Sequence, residues 1–258
     1  MTDISYISMV IGLLLLAIPL YFFRMFGVPQ IRAMIIAATR MVVQLFLIGL
    51  YLKYLFEWNS PWVNILWVMI MVLVASFTAA NRTRLRYRMV IVPMCIGFFA
   101  SALIVGMYFL LPVLRLAHPF DARYFVPIMG ILMGNMLGVN VLGLNTFYDG
   151  IQREQQLYYY LLGNGATHFE AIVPFVRRAI DKSFAPCIAN MAVMGIVSLP
   201  GTMIGQILGG SAPGIAIKYQ MMIVVITCTA SILSLIFTLY LADRRSFDAY
   251  GRLRNVRK

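Results

Sequence analysis

The sequence is poor in charged side chains, which make up 12 % of its 258 residues, whereas apolar side chains make up 62 %. Soluble domains usually carry about twice that charged fraction. Several apolar runs approach the ~20 residues that a helix needs to cross a ~30 Å hydrocarbon layer. There are seven, at about 4–26, 35–56, 62–80, 89–111, 124–146, 184–200 and 217–241. Because the runs are continuous rather than short and alternating, we predict an all-α integral membrane protein with one transmembrane domain over 1–258.

Acidic residues are the scarcest charged type, and none of the nine lies inside a predicted span. Proton-driven transporters usually bury a carboxylate in the membrane to carry the proton. The absence argues against a proton-coupled mechanism, although Na⁺ coupling through backbone carbonyls stays open. Any uphill movement would then draw its energy from a partner.

Motifs of enzymes and nucleotide sites are also missing. The chain has two histidines and no HExxH, and it has no GxSxG. The stretch 209–214 looks most like a phosphate loop, but Ile215 and Ala216 occupy the places of Lys and Ser or Thr. We therefore expect no enzyme and no cofactor bound by this chain. The three cysteines lie within or beside apolar runs without a CxxC pair and are predicted to pack.

The basic residues are distributed unevenly between the two sides. Of the 21 Lys and Arg, 17 fall on one side, including Arg82, Arg84, Arg86 and Arg88 and the tail at 244–258. Because cytoplasmic loops carry the excess of Lys and Arg, seven spans place the N-terminus outside and the C-terminus in the cytoplasm. The first run begins within MTDISYISMV, which has no basic n-region, and no small-residue cleavage site follows it, so it is expected to be a retained span and not a signal peptide. The net charge of +12 then reflects topology and contact with anionic lipid, not nucleic-acid binding.

One polar segment, LLGNGATHFEAIVPFVRRAI at 161–180, stands out between the fifth and sixth predicted spans. Thr167 followed by Glu170 forms a capping box, so a helix should begin at His168. Gly163 and Gly165 should end the helix before it. The cytoplasmic segment at about 151–182 is thus predicted to be a helix, a glycine turn and a second helix. It could be an amphipathic interfacial loop or a rigid knob that docks onto a soluble ATPase.

Polar and soft residues inside the spans are the candidates for a substrate pathway. Arg40 and Gln44 share a face of the second span, although Arg40 could instead reach the interface. On the fifth span one side carries Met129, Met133, Met136 and Asn140. The other side carries Gly130, Gly134 and Gly138, which favour close helix packing. Thioethers suit soft metals such as Cu(I), but methionine is also common core filler. Asn190 and Met191 repeat the mixture on the sixth span.

The stretch Leu199–Gly214 is predicted to face outside. It is uncharged and rich in Gly and Pro, so a plain loop is one interpretation. The other is a short re-entrant or interfacial piece, because irregular backbone at that depth must be covered by protein or water. On this interpretation Pro200, Gly201 and Gln206 belong to an outer gate.

Four stretches resemble ABC-transporter permeases. LLGNGATHFEAI resembles the LGA…EA coupling segment of that class, with Gly165 as the motif glycine because LGNGA departs from a plain LGA. MGNMLGVNVLGLN at 133–145, LPGTMIGQILGG at 199–210 and AIKYQ at 216–220 resemble the FetB-type iron-export permeases, which have plant relatives linked to aluminium tolerance. The resemblance covers nearly the whole chain.

The resemblance implies a cell-membrane subunit that exports a metal ion or a metal-linked solute. A separately encoded ATPase would bind ATP and Mg²⁺, and two copies of this chain would form a homodimer. The coupling residues would be Gly163, Gly165, Ala166, Thr167 and Glu170. The resemblance alone points to iron, so the residues leave the metal unknown. The alternative is a channel or carrier that needs no nucleotide.

Overall fold

The computed structural model describes residues 5–83, 85–248, 251–254 and 256. Arg84, Arg257 and Lys258, which contributed to the predicted orientation, lie outside these residues. Internal contacts divide the chain into two compact units. The first comprises Met1–Asn59 with Leu208–Gly210, and the second comprises Ser60–Ile207 with Ser211–Lys258. Each unit is described by itself, and the single-domain organisation stays a prediction.

The first unit contains three helices, α1 (Tyr6–Leu14), α2 (Ala17–Met25) and α3 (Ile31–Trp58). The Ser5 hydroxyl accepts a hydrogen bond from the Ile7 amide and so caps the start of α1. The chain turns after α2 at Gly27, whose φ is +66°. The predicted first span is therefore two short helices in succession, while α3 covers the predicted second span.

The second unit holds the remaining helices. They are α4 (Pro61–Arg82), α5 (Tyr87–Tyr108), α6 (Ala122–Arg153), α7 (Gln155–Gly163), α8 (His168–Val193), α9 (Gly201–Leu208) and α10 (Pro213–Ser246). A π-helical turn, Phe109–Val113, continues α5. Pro61 and Pro213 stand in the first turns of α4 and α10, where a missing amide proton costs no hydrogen bond.

The core of this unit forms where α5 and α6 pack against α10. A β-carbon at Gly97 of α5 would lie 2.5 Å from the Thr238 hydroxyl, and one at Gly143 of α6 would lie 2.5 Å from Leu235. Both distances are far below van der Waals contact. The two glycines thus allow these helices to approach closely, as small residues do in membrane bundles.

The contacts between α6 and α10 show that these two helices run in the same direction. Asn140 hydrogen-bonds Ser234, and Tyr148, further along α6, hydrogen-bonds Ser246, further along α10. The chain between them must therefore return from the end of α6 to the level at which α10 begins. The connection that makes this return contains α7, α8 and α9.

Six helical segments of the described chain are long and apolar enough to cross a membrane. They are Ile7–Met25, Ile31–Trp58, Pro61–Arg82, Tyr87–Val113, Ala122–Arg153 and Pro213–Ser246. The predicted helical membrane fold is confirmed, and the orientation stays a prediction.

The prediction of a separate helix at 184–200 is wrong in its boundaries. Helix α8 runs unbroken from His168 through Pro174 and Pro186 to Val193, so it joins the second half of the coupling segment to this apolar run. It then stops because Met194 is extended and Gly195 has a φ of +87°.

Candidate coupling segment and substrate cavity

The turn between α7 and α8 has a defined backbone geometry. The Ala166 amide donates to the Leu161 carbonyl and the Gly165 amide donates to the Leu162 carbonyl, both over 3.1 Å. This pair of hydrogen bonds is the Schellman motif, which requires a left-handed residue just after the helix. Gly165 supplies it with a φ of +88°. The predicted glycine turn is confirmed, and Gly163 is the last residue of α7.

The start of α8 is fixed by the predicted capping box. The Glu170 amide donates to the Thr167 hydroxyl over 3.3 Å, and the Glu170 carboxylate accepts from the Thr167 amide over 2.7 Å. The hydrogen bonds from Thr167, first from its backbone and then from its hydroxyl, lower the pKa of the Glu170 carboxyl. Only residues 164–167 separate α7 from α8, and the interactions at both ends hold this connection.

A cluster around His168 ties the turn to the end of α10 and to the tail. His168 Nε2 lies 3.0 Å from both carboxylate oxygens of Asp243. His168 Nδ1 lies 2.9 Å from the Tyr158 hydroxyl, which also donates to the Gly251 carbonyl over 2.9 Å. Burial and the Asp243 charge raise the pKa of Tyr158 to about 12, so this hydroxyl stays protonated at neutral pH. Local sequence spacing did not reveal this cluster, because its members come from three distant segments.

A second tie joins α8 to the junction of α6 and α7. Arg178 forms an ion pair with Glu154, the residue between those two helices. The Arg178 guanidinium also lies 5.9 Å from the centre of the Phe175 ring. The ion pair is half exposed, so it contributes little energy, but it adds a contact that orients the segment.

The outer surface of the turn carries exposed aromatic side chains. Phe169, next to His168, is 71 % exposed, and Tyr160 of α7 is 67 % exposed. Large aromatic residues that remain exposed on a rigid element are typical anchors of protein interfaces. Phe169 directly follows His168, the first residue of α8, but residue type and spacing alone do not show that its ring is exposed.

The second unit also has an open cavity of about 470 Å³ between α6, α8, α9 and α10. Among the described residues that line it, none is charged. Of the predicted pathway residues, Asn190 and Met191 line it from α8. Polar residues that the sequence reasoning missed are Asn135 of α6, Thr202 of α9 and Gln220 of α10.

The two sides of α6 have the opposite environments to those that the sequence suggested. Met129, Met133 and Met136 are at most 4 % exposed and pack in the core. Gly134 and Gly138 line the cavity, and a β-carbon on either would meet no described atom within 4 Å. The methionine side packs because flexible thioether side chains fill the irregular gaps against α5, as Met129 does against Gly106.

Asn140 is also in the core, and its amide is partnered on one side. Its nitrogen donates to the Met136 carbonyl over 2.9 Å and to the Ser234 hydroxyl over 2.7 Å. Its oxygen has no hydrogen-bond partner among the described residues. The Asn140 side chain is fully buried, and Ser234 of α10 lies against its amide.

The remaining predicted pathway and gate residues lie elsewhere. Arg40 and Gln44 are exposed on α3 of the first unit. Pro200 precedes α9, and Gly201 and Gln206 belong to it, so the stretch contains a short helix; its re-entrant or interfacial position stays a prediction. Thr202 of α9 hydrogen-bonds Gln220 of α10, which places α9 against one end of the cavity. The gate and pathway roles themselves stay predictions.

Most protein-bound metals are held by clusters of charged and imidazole ligands. The described residues contain no group of three or more His, Cys, Asp or Glu that could share an ion. What the fold defines is a multi-pass helical membrane protein with an open cavity lined by uncharged residues and an exposed turn of defined geometry.

Comparison with known proteins gives the family. Residues 6–247 match the uncharacterised protein family UPF0014, and the chain belongs to that family. No solved structure matches the chain. The chain is 34 % identical to "Protein ALUMINUM SENSITIVE 3" of Arabidopsis thaliana over 213 residues, 81 % of this chain and 75 % of the relative.

The matches to two bacterial relatives cover a larger share of the relative's length than the match to the plant protein does. Identity to "UPF0014 membrane protein YjkA" of Bacillus subtilis is 26 % over 97 % of this chain and 98 % of the relative. Identity to "Probable iron export permease protein FetB" of Escherichia coli is 29 % over 83 % of this chain and 81 % of the relative. The family matches the resemblance seen in the sequence, and the relatives support membrane transport as the class of function.

Proposed function

We propose that this chain is the permease of an ATP-driven transporter that exports a metal ion. A separate ABC ATPase binds ATP and Mg²⁺ and docks onto the turn between α7 and α8. The observation that carries the proposal is the combination of rigidity and exposure in this turn. Its backbone is fixed by the Schellman motif at Gly165 and by the capping box at Thr167, while Phe169 projects outward.

The connection from this turn to the transmembrane bundle is direct. His168 contacts Asp243 at the end of α10, and α8 continues without interruption from the turn to the cavity wall at Asn190. A displacement of the turn by an ATPase would therefore move a cavity-lining helix as a rigid rod. This is how the energy of ATP hydrolysis would reach the substrate.

The cavity at α6, α8, α9 and α10 is the proposed pathway. Amides at Asn135, Asn190 and Gln220 supply oxygen ligands, and thioethers line the same wall. The name of one relative supports iron as the substrate. Because one chain has one docking turn and such machines use two ATPases, we further propose that two copies assemble as a homodimer.

The test is reconstitution in liposomes of the chain with a candidate ABC ATPase that carries a P-loop. The proposal predicts ATP-dependent movement of Fe²⁺ that requires both proteins and a Walker-A lysine in the ATPase. Metal movement at the same rate without the ATPase would instead support the nucleotide-independent channel or carrier. A fully active monomer by native mass measurement would refute the homodimer.

A further inference from the structure

Two sulfur-bearing side chains line the cavity from α8, and a third lies beside them on α10. Cys187 and Met191 lie one helical turn apart on α8 and both line the cavity. Cys228 of α10 lies opposite them. Its thiol donates to the Met191 thioether, with 3.6 Å between the Sγ and Sδ atoms. The cysteines were expected to pack, and Cys228 does so against Met191, which shares a face of α8 with Cys187.

The spacing of these atoms fits a single coordinated ion. Metal–thiolate bonds are about 2.3 Å long, so three sulfurs around one ion lie roughly 4 Å apart. A separation of 3.6 Å between two of them needs only a small adjustment to reach that geometry. The Met191 side chain is flexible and 41 % exposed, so it can make this adjustment without disturbing the core.

The type of ligand restricts the type of metal. Thiolate and thioether sulfur select soft ions of the Cu(I) class, whereas carboxylate and carbonyl oxygen suit harder ions. No carboxylate or imidazole lines the described part of the cavity. The cavity itself, with a volume of about 470 Å³, gives an ion access to the sulfurs.

We propose that Cys187, Met191 and Cys228 form a binding site for a soft monovalent cation such as Cu(I) or Ag(I). Each thiol that binds as a thiolate gives its proton to solvent as the metal–sulfur bond forms, and no electron is transferred. The site belongs to this chain alone. It therefore does not depend on the proposed ATPase partner or on the proposed transport of iron.

The experiment uses the purified full chain in detergent, without an ATPase and with a thiol-free reductant. Ag(I) serves as the probe because it is soft and does not change oxidation state under these conditions. Bound silver is counted after dialysis, and maleimide labelling followed by mass spectrometry reports each cysteine. The expected result is one Ag(I) per chain, with Cys187 and Cys228 protected together and Cys95 still labelled.

Variants separate this site from incidental binding. Losing an outer-shell partner of a metal typically weakens binding about 10–100-fold, so loss of a ligand should cost more than about 100-fold. We expect that loss in Cys187→Ser, Cys228→Ser and Met191→Leu. Cys95→Ser and Met221→Leu are the matched controls and should bind like the unaltered chain. Fe²⁺ should not protect the two cysteines.

Several results would overturn the proposal. One is silver binding in Cys187→Ser that equals binding in Cys95→Ser. Another is a Cys187–Cys228 disulfide that persists in the reductant and leaves the chain unable to bind silver. If a serine variant fails to fold, Met191→Leu decides the question, because it keeps the volume of the side chain and removes only the thioether.

Discussion

The backbone of the turn between α7 and α8 can be tested with two glycines that lie two residues apart. Gly165 has a φ of +88°, whereas Gly163 is helical, and a β-carbon on either would meet no described atom within 4 Å. Substitution by alanine therefore changes the backbone preference at each position without adding a clash. The pair isolates conformation from packing.

The expected effects have opposite signs. A non-glycine residue in the left-handed region costs about 1–2 kcal/mol, partly offset by about 0.4–1 kcal/mol from the lower entropy of the unfolded chain. Gly165→Ala should thus destabilise the turn by about 1 kcal/mol. Gly163→Ala should stabilise the end of α7 by about 0.5–1 kcal/mol, because glycine is a poor helix residue. The difference of about 2 kcal/mol corresponds to about 30-fold in the local opening equilibrium.

Amide hydrogen exchange reads this equilibrium directly. The amides at positions 165 and 166 are bonded to the carbonyls of Leu162 and Leu161, so they exchange only when the turn opens. Exchange at these two positions should be about fivefold faster in Gly165→Ala than in the unaltered chain and slower in Gly163→Ala. Association with the ATPase should weaken only in Gly165→Ala. Equal exchange rates and equal ATPase affinity in the two variants would refute the role of the left-handed turn.

Three further predictions concern the docking surface, the cap and the cavity. Phe169→Ala should leave thermal stability within about 0.5 kcal/mol, since the ring is 71 % exposed, and should weaken co-purification of the ATPase at least tenfold, as for a hot-spot aromatic. The Glu170 pKa is lowered in the fold, so its contribution is present above the ordinary carboxyl pKa and disappears as pH falls through the lowered value. Glu170→Gln, which keeps the cap, should remove this acid-side dependence of the melting temperature. Asn190→Leu should abolish metal transport, because Asn190 lines the cavity. Asn140→Leu, in the packed core, should retain transport and change the free energy of unfolding by less than about 1.5 kcal/mol. The reverse result would place the pathway on the methionine side of α6.

The features that sequence alone predicted correctly are local ones. The turn at Gly165 and the cap at Thr167 and Glu170 depend on hydrogen bonds between residues at most five positions apart. Such bonds follow from residue type and spacing, whatever the rest of the chain does. The membrane class follows in the same way from the length of apolar runs.

The predictions that were wrong concern features that depend on residues far along the chain. Both sides of α6 have helical periodicity, and nothing within the segment says which side α5 and α10 will cover. Gly130 does lie close to Met71 of α4, but Gly134 and Gly138 line a cavity, while Met133 and Met136 fill the core. The predicted boundary of α8 was wrong for another reason. Apolar content at 184–200 does not reveal that Gly195 takes the left-handed conformation that ends the helix.

The most direct test of ATPase docking on the turn is site-specific photocrosslinking. A photoreactive residue replaces Phe169 in one variant and Trp62, 81 % exposed near the start of α4, in the control. Membranes that also contain the ATPase are irradiated with and without ATP. The account predicts a crosslink from position 169 to the ATPase, sensitive to ATP, and none from position 62. Failure of position 169 to crosslink, under conditions where the ATPase drives metal export, would contradict it.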